Sequence, residues 1–227
     1  MDRIDVLDGG FVALDASMGD DLSVVNAARV SFGTRKDSMD DRDAGLIRFL
    51  MRERHGTPFE HNGFRFHVRA PIFVVREWMR HRVANSYNEL SGRYTEIPDD
   101  FYVPALADIR TQVGKPGAYT FEPVDDTLAR RTRERIEASY RDAYASYRAM
   151  LDDGIAKEVA RTVLPVGIYT EFFWTVNARA IMNFLSLRNH ETAQREIRRF
   201  AEAVEALWSE RMPATHAAFV AHDRMSP

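Results

Sequence analysis

The clearest alternation of hydrophobic and polar positions in the chain is the segment FRFHVR, residues 64–69. Phe64, Phe66 and Val68 fall on one side of an extended backbone, and basic residues fall on the other. A period of two is typical of a β-strand with one buried face. Pro71 follows the segment. Because proline is well tolerated at the first position of a helix, we predict a helix through the next sequence, IFVVREWMRHR.

Helical spacing dominates much of the remaining chain. Ile47, Leu50 and Met51 share one face of a helix, which we expect to begin at Asp41 and to stop at Gly56. The segment TEFFWTVNARAIMNFLSLR is apolar on most sides, which is typical of a buried helix. Helices are therefore predicted over residues 41–56, 125–152, 157–164, 170–188 and 191–212.

Two segments, residues 1–33 and 83–123, carry few periodic cues. The chain shows no internal repeat, no low-complexity tract and no linker long enough to divide it. At 227 residues it is long enough to bury a substantial core. We therefore predict one α+β domain over residues 1–227, with a small antiparallel sheet and several long helices.

The composition is that of an ordinary globular protein, with 45% hydrophobic and 29% charged residues. The net charge of −3 gives no chain-wide basic field for a nucleic-acid backbone. The chain has no cysteine, which excludes disulfides, thiolate metal sites and cysteine nucleophiles, and no metal site is predicted. The first residues, MDRIDVLDGG, lack the features of a signal peptide, and no run approaches the ~20 apolar residues of a membrane span. We expect a cytoplasmic enzyme or binding protein.

The densest candidate chemistry lies in RHRVANSYNELSGRY, residues 80–94. At the end of the predicted helix each residue turns ~100° from the last, so Arg80 and Arg82 are expected to point to nearly opposite sides. They would then serve two ligands, or one of them would only neutralise the helix C-terminus. Further on, Ser91 and the glycine and arginine after it form a loop suited to wrapping a phosphate. Glu89 could orient a sugar or a ring.

The pattern RHR…S.NE.SGRY resembles the signature of the flavin-dependent thymidylate synthases. Other segments resemble the same family in the same order, namely NAARVSFG, HGTPFEH, EVARTVLP, FFWTVNARAIMNFLSLR and AQREI. The resemblance covers roughly residues 22–215. It implies the fold of that family and a reductive methylation of dUMP to dTMP, for de novo dTMP synthesis, without a cysteine nucleophile.

The same resemblance implies the participants of the reaction. FAD would be the cofactor, NADPH would reduce it, and 5,10-methylenetetrahydrofolate would supply the one-carbon unit to dUMP. The protein would be a homotetramer with active sites shared between subunits. Neither nucleic acid nor a membrane would be a partner.

The family's contact residues are carried over by their positions in the matching motifs. FAD contacts then fall on Ser31, Thr57, Arg80, His81, Arg82, Glu89, Asn177, Arg179 and Asn183. The dUMP contacts fall on Glu77, Trp78, Met79, Arg80, Glu89, Leu90, Ser91, Gly92, Arg93, Arg161 and Arg188.

Two of the carried-over residues are expected to be catalytic, and each has a structural alternative. The Arg188 guanidinium would stabilise uracil ionised at N3; otherwise it is a helix-end arginine in solvent. His55 would lie near the flavin and order water or folate; otherwise it is part of a helix C-cap.

Asn177 and Asn183 would meet the flavin ring edge, or else form a helix–helix hydrogen bond. No adjacent base would activate Ser91 as a nucleophile, so we interpret it as a phosphate ligand.

The sequence departs from the family pattern at three places. One more residue than usual separates Arg82 from Ser91, so the loop between them is expected to follow a different path. Glu77 stands where relatives often have glutamine, and Thr192 stands where some have a histidine that contacts the flavin.

Two other functions stay open at the level of sequence. The first is an arginine-rich nucleic-acid-binding module, in which the aromatic residues of FFWTVNAR would stack on bases. The second is a flavoprotein reductase with another substrate and a repurposed nucleotide loop. A steep salt dependence of nucleic-acid binding would support the first. Flavin reoxidation that depends on dUMP would argue against the second.

Overall fold

The computed structural model describes residues 2–227, which contain seven β-strands and eight α-helices. They form two compact units. The first comprises the chain up to Ala70 together with Val74–Glu89 and Thr170–Pro227, and the second comprises Pro71–Phe73 and Leu90–Tyr169. The mixed α+β class with a small antiparallel sheet is confirmed. The single-domain organisation stays a prediction.

Most of the strands form one five-stranded sheet. The seven strands are β1 (Asp2–Val6), β2 (Gly10–Met18), β3 (Gly63–Pro71), β4 (Asn85–Glu89), β5 (Arg110–Lys115), β6 (Ala118–Pro123) and β7 (Tyr169–Val176). The sheet has the order β1-β2-β3-β7-β4, and the pairs β1–β2, β2–β3 and β4–β7 are antiparallel. The remaining strands, β5 and β6, form a separate hairpin.

The strand predicted from the alternating segment FRFHVR is confirmed as β3. Phe64, Phe66 and Val68 are buried, with exposed fractions of 1% or less. The basic residues between them lie on the opposite face, where His67 pairs with Glu171 at 3.0 Å. The pleat separates the two sets because successive side chains of a strand point to opposite faces.

The helix predicted over residues 170–188 is wrong in its first half, which forms β7. Phe172, Trp174 and Val176 are buried at every second position, as expected of a strand. The helix begins after Asn177, whose side chain accepts a hydrogen bond from the Ala180 N–H at 2.9 Å. That cap divides an apolar run whose continuous hydrophobicity is compatible with either structure.

The helices confirm most of the predicted starts and revise several ends. They are α1 (Asp21–Arg29), α2 (Asp41–Arg52), α3 (Ile72–Trp78), α4 (Asp126–Asp152), α5 (Lys157–Ala160), α6 (Ala178–Arg188), α7 (Arg195–Arg211) and α8 (Pro213–Ala221). The helix from Asp41 ends at Arg52, before Gly56, because Arg54 adopts a left-handed conformation with φ 57°. The last predicted helix begins four residues later than expected, and Pro213 opens a further helix that the spacing did not predict.

The core of the first unit is aromatic. Trp78 is fully buried and packs edge-on against Trp174 at 5.2 Å between ring centroids and tilted against Phe184 at 4.8 Å. Phe200 of α7 reaches the same indole at 6.1 Å. Large buried rings contribute much of the free energy of folding through the apolar area they remove from water. The core therefore holds α3, α6 and α7 against the sheet.

The second unit is built on the long helix α4, which the regular apolar spacing of its residues predicted. Tyr147 of α4 is fully buried, and its hydroxyl accepts a hydrogen bond from the Ile97 N–H at 3.0 Å. Phe101 stacks on Tyr140 with 4.6 Å between ring centroids. These contacts anchor the weakly patterned chain before α4. The β5–β6 hairpin, by contrast, is exposed at every position.

The helix predicted to run through the arginine-histidine-arginine segment ends four residues earlier, at Trp78. His81 N–H donates to the Trp78 carbonyl at 3.1 Å, which turns the chain out of the helix. Arg80 and Arg82 therefore lie beyond the helix, so the helical geometry from which their opposite directions were expected is absent. Among residues 2–227 no helix is long and apolar enough to cross a membrane.

Candidate active site

The turn after α3 and the end of α6 enclose a cavity of about 280 Å³, which we call the arginine cavity. It is lined by Arg80, His81, Arg82, Val83, Asn85, Asn183, Leu187 and Arg188. Arg80 and Arg82 are exposed, and no residue in the range 2–227 pairs with either guanidinium. Two unpaired cations beside a third arginine give the cavity a chemistry suited to an anionic ligand.

Arg188, the last residue of α6, is held from two sides. Its Nε donates to His81 Nε2 at 3.1 Å, and its Nη1 lies 3.4 Å from a Glu77 carboxylate oxygen. Only 18% of the Arg188 side chain is exposed. The guanidinium is therefore fixed in place, and the expectation of a solvent-facing helix-end arginine is not met. Its preorganised donors are suited to stabilising developing negative charge.

The environment of Arg188 controls the charge of both neighbours. Burial, together with the nearby Arg188 charge, lowers the pKa of His81 to about 4. Burial raises the pKa of Glu77, although Arg188 opposes that shift. Because Arg188 donates to His81 Nε2, the imidazole is neutral and carries its proton on Nδ1. The cavity therefore keeps a positive charge at neutral pH, with Glu77 as the nearest compensating carboxylate.

We expect the thermal stability of the protein to fall as the pH drops from about 7 to about 4. The unfolded state binds a proton at His81 near pH 6.5, whereas the native state resists it until about pH 4. This difference removes at most about 3 kcal/mol from the free energy of unfolding. Melting curves of His81→Gln, which accepts the same hydrogen bond without titrating, should show a flatter pH dependence.

The matched control for this measurement is His61→Gln. His61 is exposed and has no hydrogen-bond partner among the described residues, so its replacement should leave the pH dependence of the wild-type protein intact. Equal slopes for wild-type protein and His81→Gln between pH 4.5 and pH 7 would show that His81 is not the titrating group.

A second cavity of about 310 Å³, which we call the Arg179 cavity, shares Val83 and Asn183 with the arginine cavity. It is lined by Glu60, Val83, Ala84, Asn177, Arg179, Ala180, Asn183, Ser226 and Pro227. Arg179, Asn183 and Leu187 follow one another at intervals of four residues and therefore lie on one face of α6. Residues of this face line both cavities. Asn177 is the N-cap of α6, so the first helical residue is Ala178. This starting point determines which residues of α6 lie on that face.

The two asparagines on this face differ in their bonding. The Asn177 side-chain oxygen caps α6, so the alternative of a helix–helix hydrogen bond is not met. The Asn183 amide is exposed and has no hydrogen-bond partner among residues 2–227. It lies where the two cavities meet, and a ligand that spans both could accept from it or donate to it.

The second unit brings together another group of predicted residues. The Tyr94 and Thr95 N–H groups both donate to the Ser91 carbonyl at 3.0 Å, which makes a tight turn. A side chain at Gly92 would approach Arg161 Cδ at 3.2 Å, so the glycine lets that arginine pack beside the turn. Arg93 is exposed and pairs with Glu158 at 3.2 Å. Ser91–Arg93 and Arg161 thus form one cluster, which we call the phosphate turn.

Several predicted site residues line neither of these cavities. The His55 ring is exposed and packs edge-on against Phe49 at 5.9 Å. The main-chain N–H of His55 donates to the Leu50 carbonyl just after α2. The Trp78 indole is buried in the core, so only its main chain is available to a ligand. Glu89 accepts a hydrogen bond from the Thr170 hydroxyl at 2.8 Å. Besides the phosphate turn, the others outside both cavities are Ser31, Thr57, Glu77, Met79 and Leu90.

The structure also adds lining residues that the sequence did not indicate. Glu60 lines the Arg179 cavity and pairs with Arg179 at 2.6 Å. It lies in the same 3-10 turn as Thr57, which is the sequence signal that could have found it. Ser226 and Pro227 reach the cavity from the far end of the chain, and no local pattern marks them. A further cavity of about 560 Å³ beside α1 is lined by none of the predicted site residues.

The aromatic residues of FFWTVNAR do not form a stacking platform. Phe172 and Trp174 are 2% and 0% exposed, and only Phe173, at 41%, reaches the surface. Bases could therefore not stack along them, and the nucleic-acid-binding alternative loses its main support. In the described part of the chain, no three histidine, aspartate or glutamate side chains are grouped to hold a metal ion.

Comparison with known proteins assigns this architecture to a family. Residues 13–214 match the family described as "Thymidylate synthase complementing protein". The "Flavin-dependent thymidylate synthase" of Streptomyces coelicolor is 48% identical over 229 residues, which cover 95% of this chain and 93% of the relative. The protein of the same description from Thermotoga neapolitana is 46% identical over 220 residues, covering 96% and 94%.

Solved structures agree with the sequence comparison. The crystal structure of the UMP/dUMP methylase PolB from Streptomyces cacaoi bound with 5-Br dUMP superposes with a TM-score of 0.90 at 45% identity, covering 99% of this chain and 100% of that one. The structure of the same enzyme bound with 5-Br UMP gives a TM-score of 0.89 at 44% identity, covering 99% of both chains.

Proposed function

The chain belongs to the family of flavin-dependent thymidylate synthases, and we propose that it methylates dUMP to dTMP. The one-carbon donor would be 5,10-methylenetetrahydrofolate, and NADPH would be the source of the hydride. The observation that carries the proposal is the fixed Arg188 guanidinium in a cavity with two unpaired arginines, in a chain that has no cysteine. Uracil must be activated here without an enzyme thiol.

The residues around the two adjacent cavities fit a flavin nucleotide. A dinucleotide carries a pyrophosphate and a polar ring edge, which require cations and amide groups. The unpaired guanidinium groups of Arg80 and Arg82 would take the phosphates, and the unpaired amide of Asn183 would take the ring edge. Arg179 would contribute at the far side of the Arg179 cavity. When bound, FAD would supply the hydride, received from NADPH, that completes the methyl group.

Arg188 is the residue to which we assign the activation of uracil. A guanidinium beside N3 and its flanking carbonyl would favour the N3-ionised form of the ring, so that carbon 5 becomes nucleophilic. His81 and Glu77 restrain the guanidinium before substrate arrives. A donor that is already oriented needs little reorganisation as charge develops, and this lowers the barrier. His81 acts in this proposal as a positioning residue for Arg188.

The phosphate turn is assigned to the phosphate of dUMP. The Ser91 hydroxyl and the Gly92 N–H would donate to the phosphate oxygens, with Arg93 and Arg161 as counter-charges. We propose that the protein is a homotetramer in which the phosphate turn of one subunit completes the site that contains Arg188 in a partner. Support for this arrangement comes from family membership.

We expect the purified protein to bind FAD, to be yellow, and to form dTMP from dUMP, methylenetetrahydrofolate and NADPH. The assay should include UMP in parallel, because the solved relative is described as a UMP/dUMP methylase. In the absence of oxygen, reduced flavin should be reoxidised only when nucleotide and folate are both present. A colourless protein with no spectral change during FAD titration would end the flavoenzyme assignment. Flavin reoxidation independent of dUMP and UMP would favour a reductase with another substrate.

A further inference from the structure

The residues that follow α8 fold back onto α6. Asp223 and Arg224 both adopt φ 55°, a left-handed conformation that non-glycine residues keep only where surrounding contacts enforce it. This reversal carries the last residues away from α8. Pro227 ends up buried, although Met225, two residues earlier, is 52% exposed. We call residues 223–227 the closing segment.

The closing segment is pinned by a buried carboxylate. Glu205 of α7 is 7% exposed and pairs with the Arg224 guanidinium at 2.7 Å. The same carboxylate accepts hydrogen bonds from Asn189 and His216. Ser186 of α6 donates to the Arg224 carbonyl. A charged hydrogen bond at a buried position is costly to break, so the segment has a defined path.

The end of the closing segment holds one residue of the Arg179 cavity. Arg179 Nε donates to the Pro227 carbonyl at 2.8 Å, and the Ser226 hydroxyl donates to the Arg179 carbonyl at 3.1 Å. On the other side Arg179 Nη1 pairs with Glu60 at 2.6 Å. The guanidinium also lies against Gly56, where a Cβ atom would come within 2.4 Å of Arg179 Cζ. Arg179 is therefore held by groups that are far apart in the chain.

We infer that the closing segment is a positioning element for the flavin nucleotide, acting through Arg179. It leaves the Arg179 cavity open and forms part of its wall, since Ser226 and Pro227 are among the lining residues. Because the Pro227 carbonyl accepts the Arg179 Nε–H, the segment determines which of the other guanidinium N–H groups face a ligand. The inference rests on the proposed binding of FAD at this cavity, and it assigns a role to residues that lie beyond the matched family region, 13–214.

The test is a titration of flavin-free protein with FAD, followed by flavin fluorescence. Deletion of residues 226–227 removes both contacts to Arg179 and should raise the Kd for FAD about tenfold. This is the expected effect of losing one hydrogen bond to a charged group that orients Arg179 before FAD binds. Ser226→Ala, which keeps the Pro227 carbonyl, should raise it about twofold to threefold. The matched control is Met225→Ala, whose exposed side chain lines neither cavity and should leave the Kd unchanged.

A double-mutant cycle separates positioning from a general loss of structure. If the closing segment acts through Arg179, the deletion should have little further effect on the Kd of Arg179→Ala, because coupled residues are not additive. Independent, multiplying effects would overturn the inference, as would an unchanged Kd in the deletion variant. Melting curves of the flavin-free variants check folding, and if the deletion variant unfolds, Ser226→Ala against Met225→Ala decides. Wild-type protein that fails to bind FAD would instead overturn the proposed function itself, and the inference with it.

Discussion

Arg188→Lys should lower turnover by about 10²- to 10³-fold, the usual effect of removing one preorganised donor to developing charge. Lysine keeps the positive charge, so the electrostatic attraction of the arginine cavity for an anion is largely retained. It loses the planar fork whose Nε and Nη1 contact His81 and Glu77. The ammonium group can no longer be held in one orientation beside uracil N3.

The decisive comparison is between chemistry and binding. We expect kcat to fall while the Kd values for FAD and dUMP change by no more than about threefold, since the lost interaction forms mainly in the transition state. Steady-state dTMP formation gives kcat, rapid-quench measurement of a single turnover gives the rate of the chemical step, and spectral titration gives the Kd values. Arg199→Lys, the same exchange at an exposed position of α7, is the matched control and should behave as wild type. Wild-type turnover by Arg188→Lys would refute the role of Arg188 in ionising uracil.

Co-expression of Arg93→Ala and Arg188→Ala should recover activity that each variant lacks alone. Arg93 lies in the phosphate turn of the second compact unit, and Arg188 lies in the first unit. If the site is shared between subunits, a mixed tetramer contains sites that take an intact Arg188 from one chain and an intact Arg93 from another. Random assembly in equal amounts would restore about a quarter of the sites.

Three controls make this recovery interpretable. Native mass spectrometry of differently tagged chains must show that mixed oligomers form. Mixing the two variants after purification, under conditions where subunits do not exchange, should give no recovery. Co-expression of Arg188→Ala with Arg188→Lys should also stay inactive, because no site then has an intact Arg188. Mixed oligomers without recovered turnover would contradict a site shared between subunits.

Local patterns determined the elements whose signal is contained in a few residues. The period of two in FRFHVR was sufficient for β3, and regular three-to-four spacing was sufficient for α4, because each pattern places apolar atoms on one face whatever the rest of the chain does. The arginine-rich turn and the absence of cysteine were likewise enough to indicate an anion site and a chemistry without a thiol. Those conclusions depend on residue types and their order alone.

Tertiary contacts decided the structure of segments whose local pattern is ambiguous. The apolar run before Asn177 suits a strand or a buried helix, and antiparallel pairing with β4 makes it a strand. The helix before Arg80 stops at Trp78, whose indole is buried among Phe172, Trp174 and Phe184 from distant parts of the chain. Periodicity within a segment carries no information about such partners.

The contacts within the candidate site were likewise decided by the tertiary structure. The hydrogen bond between Arg188 and His81 joins residues that are 107 positions apart, and it assigns to His81 a role as an acceptor for the arginine. Arg179 is fixed by Glu60 from one side and by Pro227 from the other. Sequence therefore determined which chemical groups are present and the family they belong to. The orientation, charge state and mutual restraint of those groups arise only when folding brings distant side chains within hydrogen-bonding distance in a partly buried setting, where such contacts are strong.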